Sequence, residues 1–211
     1  MESFQSAFPP TFLSSYQKGV MRYTYRDRLC LKSPIDLAIY LRLLWQLKPA
    51  TIIEIGSQRG GGALWFADMM TVYGLESRVV SVDLSPPAGF TDPRIHFLTG
   101  DVEKLEACLT PELCETLPRP WVVVEDSSHT YSGVLAALNF FSDKLQQGEM
   151  MIVEDGILDE LNIPDIYQGG PNRAIAEFFR NRPDVFRVDR DCCDFYGRNA
   201  TYSPNGFLVK N

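Results

Sequence analysis

Two apolar segments of this 211-residue chain end in acids: Trp121-Val122-Val123-Val124 runs through Glu125 into Asp126, and Met150-Met151-Ile152-Val153 runs into Glu154-Asp155. If the segments are neighbouring strands, Asp126, Glu154 and Asp155 converge at one edge. Grouped carboxylates repel unless a cation compensates, and an all-oxygen donor set favours magnesium, calcium or manganese over zinc. Neighbouring residues in a strand face opposite ways, so Glu154 and Asp155 share an ion only beyond the strand's end, which Gly156 permits. His129, three residues after Asp126, brings an imidazole to that edge, where it can serve as a general base. The plainer alternatives are acids that cap helices or face water, and a histidine that is a structural hydrogen-bond partner.

A second constellation is Glu54-Ile55-Gly56-Ser57-Gln58-Arg59-Gly60-Gly61-Gly62, in which a β-branched run passes through glycines into a helical pattern. Such a turn brings a ligand against a helix N-terminus, with glycines allowing close approach. It is not a nucleoside-triphosphate loop, because Gly62 and Ala63 stand where lysine and a hydroxyl residue are needed. Nor does it match the dinucleotide fingerprint, since Gln58 and Arg59 interrupt the glycine spacing. Asp83, ending the next strand, is placed to accept from ribose hydroxyls. Glu54, two residues before the first glycine, resembles the first motif of class I S-adenosylmethionine-dependent methyltransferases. Its carboxylate suits a cationic amino group and would repel a pyrophosphate. Gly100-Asp101 resembles the adenine region of that fold.

These residues need a scaffold, and the pattern supplies one. Strands are expected at 51–55, 78–82, 94–98, 121–124 and 150–153, with helices near 62–74, 110–117 and 132–147 between them. Alternation of this kind, with continuously apolar strands, gives an α/β fold whose parallel sheet is covered on both faces. Ser33-Pro34-Ile35-Asp36 is a helix start, with serine as cap and proline at the first position, and Lys48-Pro49 ends that helix. A further helix opens at Gly170-Pro171, and strands near 185–189 and 206–210 complete seven. The stripe Phe4, Phe8, Phe12, Tyr16 reads as an N-terminal arm or lid over 1–32, ahead of one domain over 33–211.

With 45% hydrophobic and 22% charged residues the chain is an ordinary globular protein, and at this length roughly 70% of the unfolded surface can be buried without disulfides or a structural metal. A net charge of -7 disfavours nucleic acid. Five cysteines without a C-x-x-C pair indicate neither a disulfide framework nor a zinc ribbon, and Cys192-Cys193 is expected to be structural. With neither a signal peptide nor a spanning segment in the pattern, a cytoplasmic protein that does not engage membranes is expected. The loop from Gly156 to Gly170 carries Asp159, Glu160 and Asp165 without lysine or arginine, which is compatible with a cationic or amino-bearing acceptor; the plainer alternative is a solvated acidic loop.

Taken in order, Cys30-Leu31-Lys32-Ser33-Pro34-Ile35-Asp36-Leu37, Glu54-Ile55-Gly56-Ser57, Glu125-Asp126-Ser127-Ser128-His129-Thr130, Val153-Glu154-Asp155 and Gly206-Phe207-Leu208-Val209-Lys210 resemble the cephalosporin hydroxylase-like family. That family includes macrolide-sugar and rhamnosyl O-methyltransferases. The resemblance implies a single-domain, Rossmann-like class I methyltransferase fold. It implies S-adenosylmethionine near Glu54, Gly56, Ser57, Gly60, Asp83, Leu84 and Asp101, and Mg2+ (or Mn2+) on Asp126, Glu154 and Asp155, with His129 as base. The implied activity is O-methylation of a hydroxyl on a sugar or natural-product small molecule, with a homo-oligomer left open. The alternatives are a nicotinamide-dependent oxidoreductase and a non-catalytic cofactor-binding partner subunit. No motif resembles an iron facial triad of two histidines and a carboxylate, and with only two histidines, His96 and His129, oxygen chemistry by this chain alone is not expected.

Overall fold

The computed structural model describes residues 3–161 and 166–211. Asp165 of the acidic loop lies outside the described residues. A seven-stranded sheet has the order β5-β4-β3-β6-β7-β9-β8, built from β3 (Thr51–Ile55), β4 (Arg78–Asp83), β5 (Ile95–Thr99), β6 (Trp121–Glu125), β7 (Met150–Val153), β8 (Phe186–Val188) and β9 (Phe207–Lys210). All pairings are parallel except those of β9 with β7 and β8. This is the mostly parallel α/β sheet expected from the pattern. A two-stranded hairpin, β1 (Thr24–Tyr25) and β2 (Arg28–Leu29), stands apart from it.

The continuous apolar strands follow from helices on both faces. On one face α2 (Pro34–Leu47) and α3 (Gly61–Val72) pack Leu37, Tyr40, Leu44, Phe66 and Met70 against Ile52, Val79, Val122, Val124 and Ile152. On the other, α5 (Tyr131–Ser142) and α6 (Gly170–Asn181) pack Val134, Leu138, Phe141, Ile175 and Phe178 against Ile53, Val80, Val123 and Met151. α2 starts as expected: the Ser33 hydroxyl accepts from the Asp36 amide at 3.3 Å, with Pro34 behind it. α5 is shorter than the expected 132–147. At its end the Ser142 hydroxyl turns back to the Asn139 carbonyl, and Asp143 is held by Arg182 at 2.7 Å.

The N-terminal aromatic stripe is split by its prolines. α1 (Pro10–Val20) buries Leu13 and Val20, whereas Phe12 is 39% exposed and stacks between Phe8 and Tyr16. α1 is tied to the far end of the chain, where the Tyr202 hydroxyl donates to Gln17 at 2.8 Å. Buried Asp36 holds that end by accepting from Thr201 and from the Tyr202 amide. Cys192 and Cys193 are buried free thiols, pushed up to about 12 mainly by burial. Among the described residues no helix is long and apolar enough to cross a membrane.

Candidate functional site

The strand order reverses around β3, whose two neighbours are β4 and β6, so the loops leaving β3 and β6 part to opposite faces and open a crevice at the carboxyl ends. A cavity of about 790 Å³ occupies it, lined by Glu54, Gly56, Ser57, Asp83, Leu84 and Asp101 toward one end and by Asp126, His129 and Asp155 toward the other. The register sets Ile55 level with both Val82 and Glu125, and Glu125 level with Val153, which brings the loops after four strands to one line.

On the first side the acids brace backbone. Both oxygens of Asp83 accept amides, from Gln58 at 2.8 Å and from Ser85 at 2.8 Å. Asp101 caps the short helical segment that follows it, accepting from the Glu103 amide at 3.0 Å. Leu84 is 70% exposed and presents an apolar side chain to the cavity. Gly56 has no room for a side chain, since a Cβ would lie 2.0 Å from the Asp126 carbonyl oxygen. Gly60, expected among the cofactor contacts, does not line the cavity. It adopts φ 77° as the residue before α3, and Phe90 covers it, so it makes the turn.

Glu54 is buried, and its Oε2 accepts the Ser81 hydroxyl at 2.5 Å, which in turn meets Ser57. Burial pushes its carboxyl up to about 7, against the pull of Lys32. Lys32 is the residue that sequence reasoning missed. Its ammonium donates to Asp126 Oδ2 at 2.8 Å and to Glu154 Oε1 at 2.9 Å, and stands 3.9 Å from Glu54 Oε1. Burial opposes its charge, but Asp126, Glu154 and Glu54 outweigh it and hold the ammonium protonated. The available signal was the demand for a cation among grouped acids, together with a lysine directly after the apolar pair Cys30-Leu31 and ahead of a helix cap.

Glu154, expected beside Asp126 and Asp155 as an ion ligand, is engaged by other groups here. Its Oε1 takes both Lys32 and the Tyr40 hydroxyl, and the residue does not line the cavity. β7 ends at Val153, and Asp155 adopts φ 59°, so the two adjacent acids diverge. Asp155 turns to His129, whose Nε2 lies 3.3 Å from Asp155 Oδ2. The donor atoms of Asp126, His129 and Asp155 all fall within 4.8 Å of one another, a spacing that suits one small cation. Burial raises both aspartates, and it lowers His129, but Asp155, Asp126 and Glu125 reverse that and raise the imidazole overall. Among the described residues, His129 Nδ1 and, beside the donor set, Glu125 Oε2 are buried without a hydrogen-bond partner, so polar capacity remains unused there. Asp159 and Glu160 of the acidic loop are engaged structurally, with Asn172 and with the Ser6 amide.

The family described as Rhamnosyl O-methyltransferase/CmcI matches residues 17–211. The rhamnosyl O-methyltransferase of Mycobacterium tuberculosis is 31% identical over 196 residues, covering 89% of this chain and 78% of the relative. That of Mycobacterium leprae is 31% identical over 195 residues, covering 89% and 82%. A solved CmcI structure with Mg and SAM superposes with a TM-score of 0.67 at 26% identity, over 90% of this chain and 77% of that one. Neither a nicotinamide oxidoreductase nor a non-catalytic subunit is what these matches support. The chain belongs to the Rhamnosyl O-methyltransferase/CmcI family, and with its class I methyltransferase fold it is an S-adenosylmethionine-dependent O-methyltransferase.

Proposed function

We propose that this methyltransferase acts on a hydroxyl of a sugar or sugar-bearing natural product and requires a divalent ion, magnesium by preference. The observation that carries the reading is the convergence of Asp126, His129 and Asp155 on one wall of the cavity whose other wall is the glycine loop. The names of the mycobacterial relatives, rhamnosyl O-methyltransferases, point to the sugar.

S-adenosylmethionine supplies an electrophilic methyl group when bound, and a divalent ion supplies Lewis acidity toward an oxygen nucleophile. Gly56, Ser57, Asp83, Leu84 and Asp101 would hold the cofactor, with Glu54 toward its amino group. Asp126 and Asp155, whose side chains are 17% and 22% exposed, are the carboxylates that reach the cavity and would hold the ion. Glu154 backs them by fixing Lys32. His129 takes the acceptor's proton at Nε2, and the surrounding carboxylates favour the imidazolium that results. Walls that held acceptor and donor in line would remove the entropic cost of finding that alignment.

Manganese titration followed by paramagnetic resonance, with S-adenosylhomocysteine present, tests the reading. One ion per chain is expected, lost in Asp155→Asn, and a wild-type chain that binds none refutes it. The short spacing also favours a second reading in which His129 is itself a ligand. In that case His129→Ala loses manganese along with turnover, whereas loss of turnover alone assigns it as the base.

A further inference from the structure

Lys32 takes no part in the chemistry above, yet its charge is buried among more carboxylates than any other ammonium among the described residues. Its side chain is 2% exposed, with two carboxylate oxygens within 2.9 Å, a third at 3.9 Å, and the Phe66 ring centroid 5.6 Å away. The acids it serves are committed elsewhere as well: Glu154 Oε1 takes Tyr40, and Glu54 Oε2 takes Ser81. Asp155 stands close enough for its charge to be felt there too.

One ammonium lies within 3.9 Å of three carboxylates, and the fourth, Asp155, meets His129; where these acids are ionised, the remaining deficit would draw in a dication. The same ammonium sits on an oxygen of Asp126, one of the groups proposed to hold that dication. A fixed positive charge that near repels a second one strongly, because the low-dielectric surroundings screen it little. We propose that Lys32 is a tethered counter-ion that competes with the divalent ion: it holds the acid cluster together and lowers the cluster's affinity for the ion. The inference rests on the ion site of the proposed function. It makes two opposite predictions for one residue, since removing the ammonium weakens the protein without metal and strengthens metal binding. A lysine with a purely structural role would do only the first.

Lys32→Met is compared with wild type at pH 8 in the presence of S-adenosylhomocysteine, by calorimetric manganese titration and by melting with and without manganese. The variant is expected to melt lower without metal, to bind manganese at least tenfold tighter, and to gain more melting temperature from it. Should Lys32→Met not fold, Lys32→Met/Glu54→Gln, which removes one charge of each sign, is compared with Glu54→Gln, and the same tenfold gain is expected. Equal or weaker manganese affinity in either comparison overturns the proposal. A wild-type chain that binds no manganese refutes the ion site itself, and the role of Lys32 with it.

Discussion

Asp83 and Glu154 stand at the carboxyl ends of strands in one sheet, yet they are held in opposite ways. Asp83 accepts amides from Ser85, two residues on, and from Gln58 on the glycine turn after the neighbouring strand, and remains at the cavity surface. Glu154 is buried and held by Lys32 and Tyr40, 122 and 114 residues away in the chain. The same contrast divides the site. The proposed cofactor side is built around the turns after two neighbouring strands, where Asp83 and Asp101 organise backbone, while Glu54 links it to the buried ammonium. The ion side is assembled from distant segments around one buried ammonium. A local device can be changed with a local loss, whereas a change in the assembled cluster is felt by every member.

The widest separation between the two sides is expected from His129→Ala. Turnover should fall by about 10²–10⁴, the usual contribution of a general base, while S-adenosylhomocysteine affinity stays near wild type. Steady-state kinetics beside calorimetry reads both, and a parallel loss of cofactor affinity would erase the distinction. Asp83→Ala should do the reverse. Loss of a hydrogen bond to a charged group costs about 1.5–3 kcal/mol, or roughly 10–100-fold in S-adenosylhomocysteine affinity, with manganese binding unchanged. Undiminished cofactor binding in that variant would remove Asp83 from the site.

The smallest effect concerns Asp36, which anchors the C-terminal segment beneath the cavity and is pushed up to about 7, chiefly by burial. Its carboxyl is raised above the ordinary value of 3.8, so the folded chain holds this proton more tightly than the unfolded one. The stabilisation is complete below the unfolded value and is lost as pH rises through about 7. Melting temperature should therefore fall between pH 5 and pH 8, and less steeply in Asp36→Asn. Parallel curves for the two proteins would show that Asp36 titrates as it does in the unfolded chain.

What could be read from sequence follows the same division. The parallel strands, the helix opening at Ser33 and the glycine turn declare themselves through periodicity and neighbouring residue types, because the forces that shape them act within a few positions. The short helical segments at Val102–Ala107 and Gly156–Leu161 have no such period, and neither does the hairpin at Thr24–Leu29. The convergence of Asp126, Glu154 and Asp155 near His129 was legible as a candidate site because strand ends must converge in a parallel sheet. The divergence of Glu154 from Asp155 was not legible, since it depends on Lys32 and Tyr40 arriving from the other end of the chain. Gly60, read from sequence as a cofactor contact, is placed by its φ of 77° at the turn into α3.

Two separable functions on one edge of the sheet are tested most directly by exhaustive chelation, with turnover and S-adenosylhomocysteine affinity measured on the same sample. The prediction is a loss of turnover of roughly 100-fold or more, in keeping with the several kcal/mol that a Lewis acid contributes, restored by magnesium. Cofactor affinity should change by less than about threefold, because a cofactor hydrogen bond that depended on the ion would weaken binding by more than that. Full turnover after chelation would contradict the ion site and leave His129 to activate the acceptor alone.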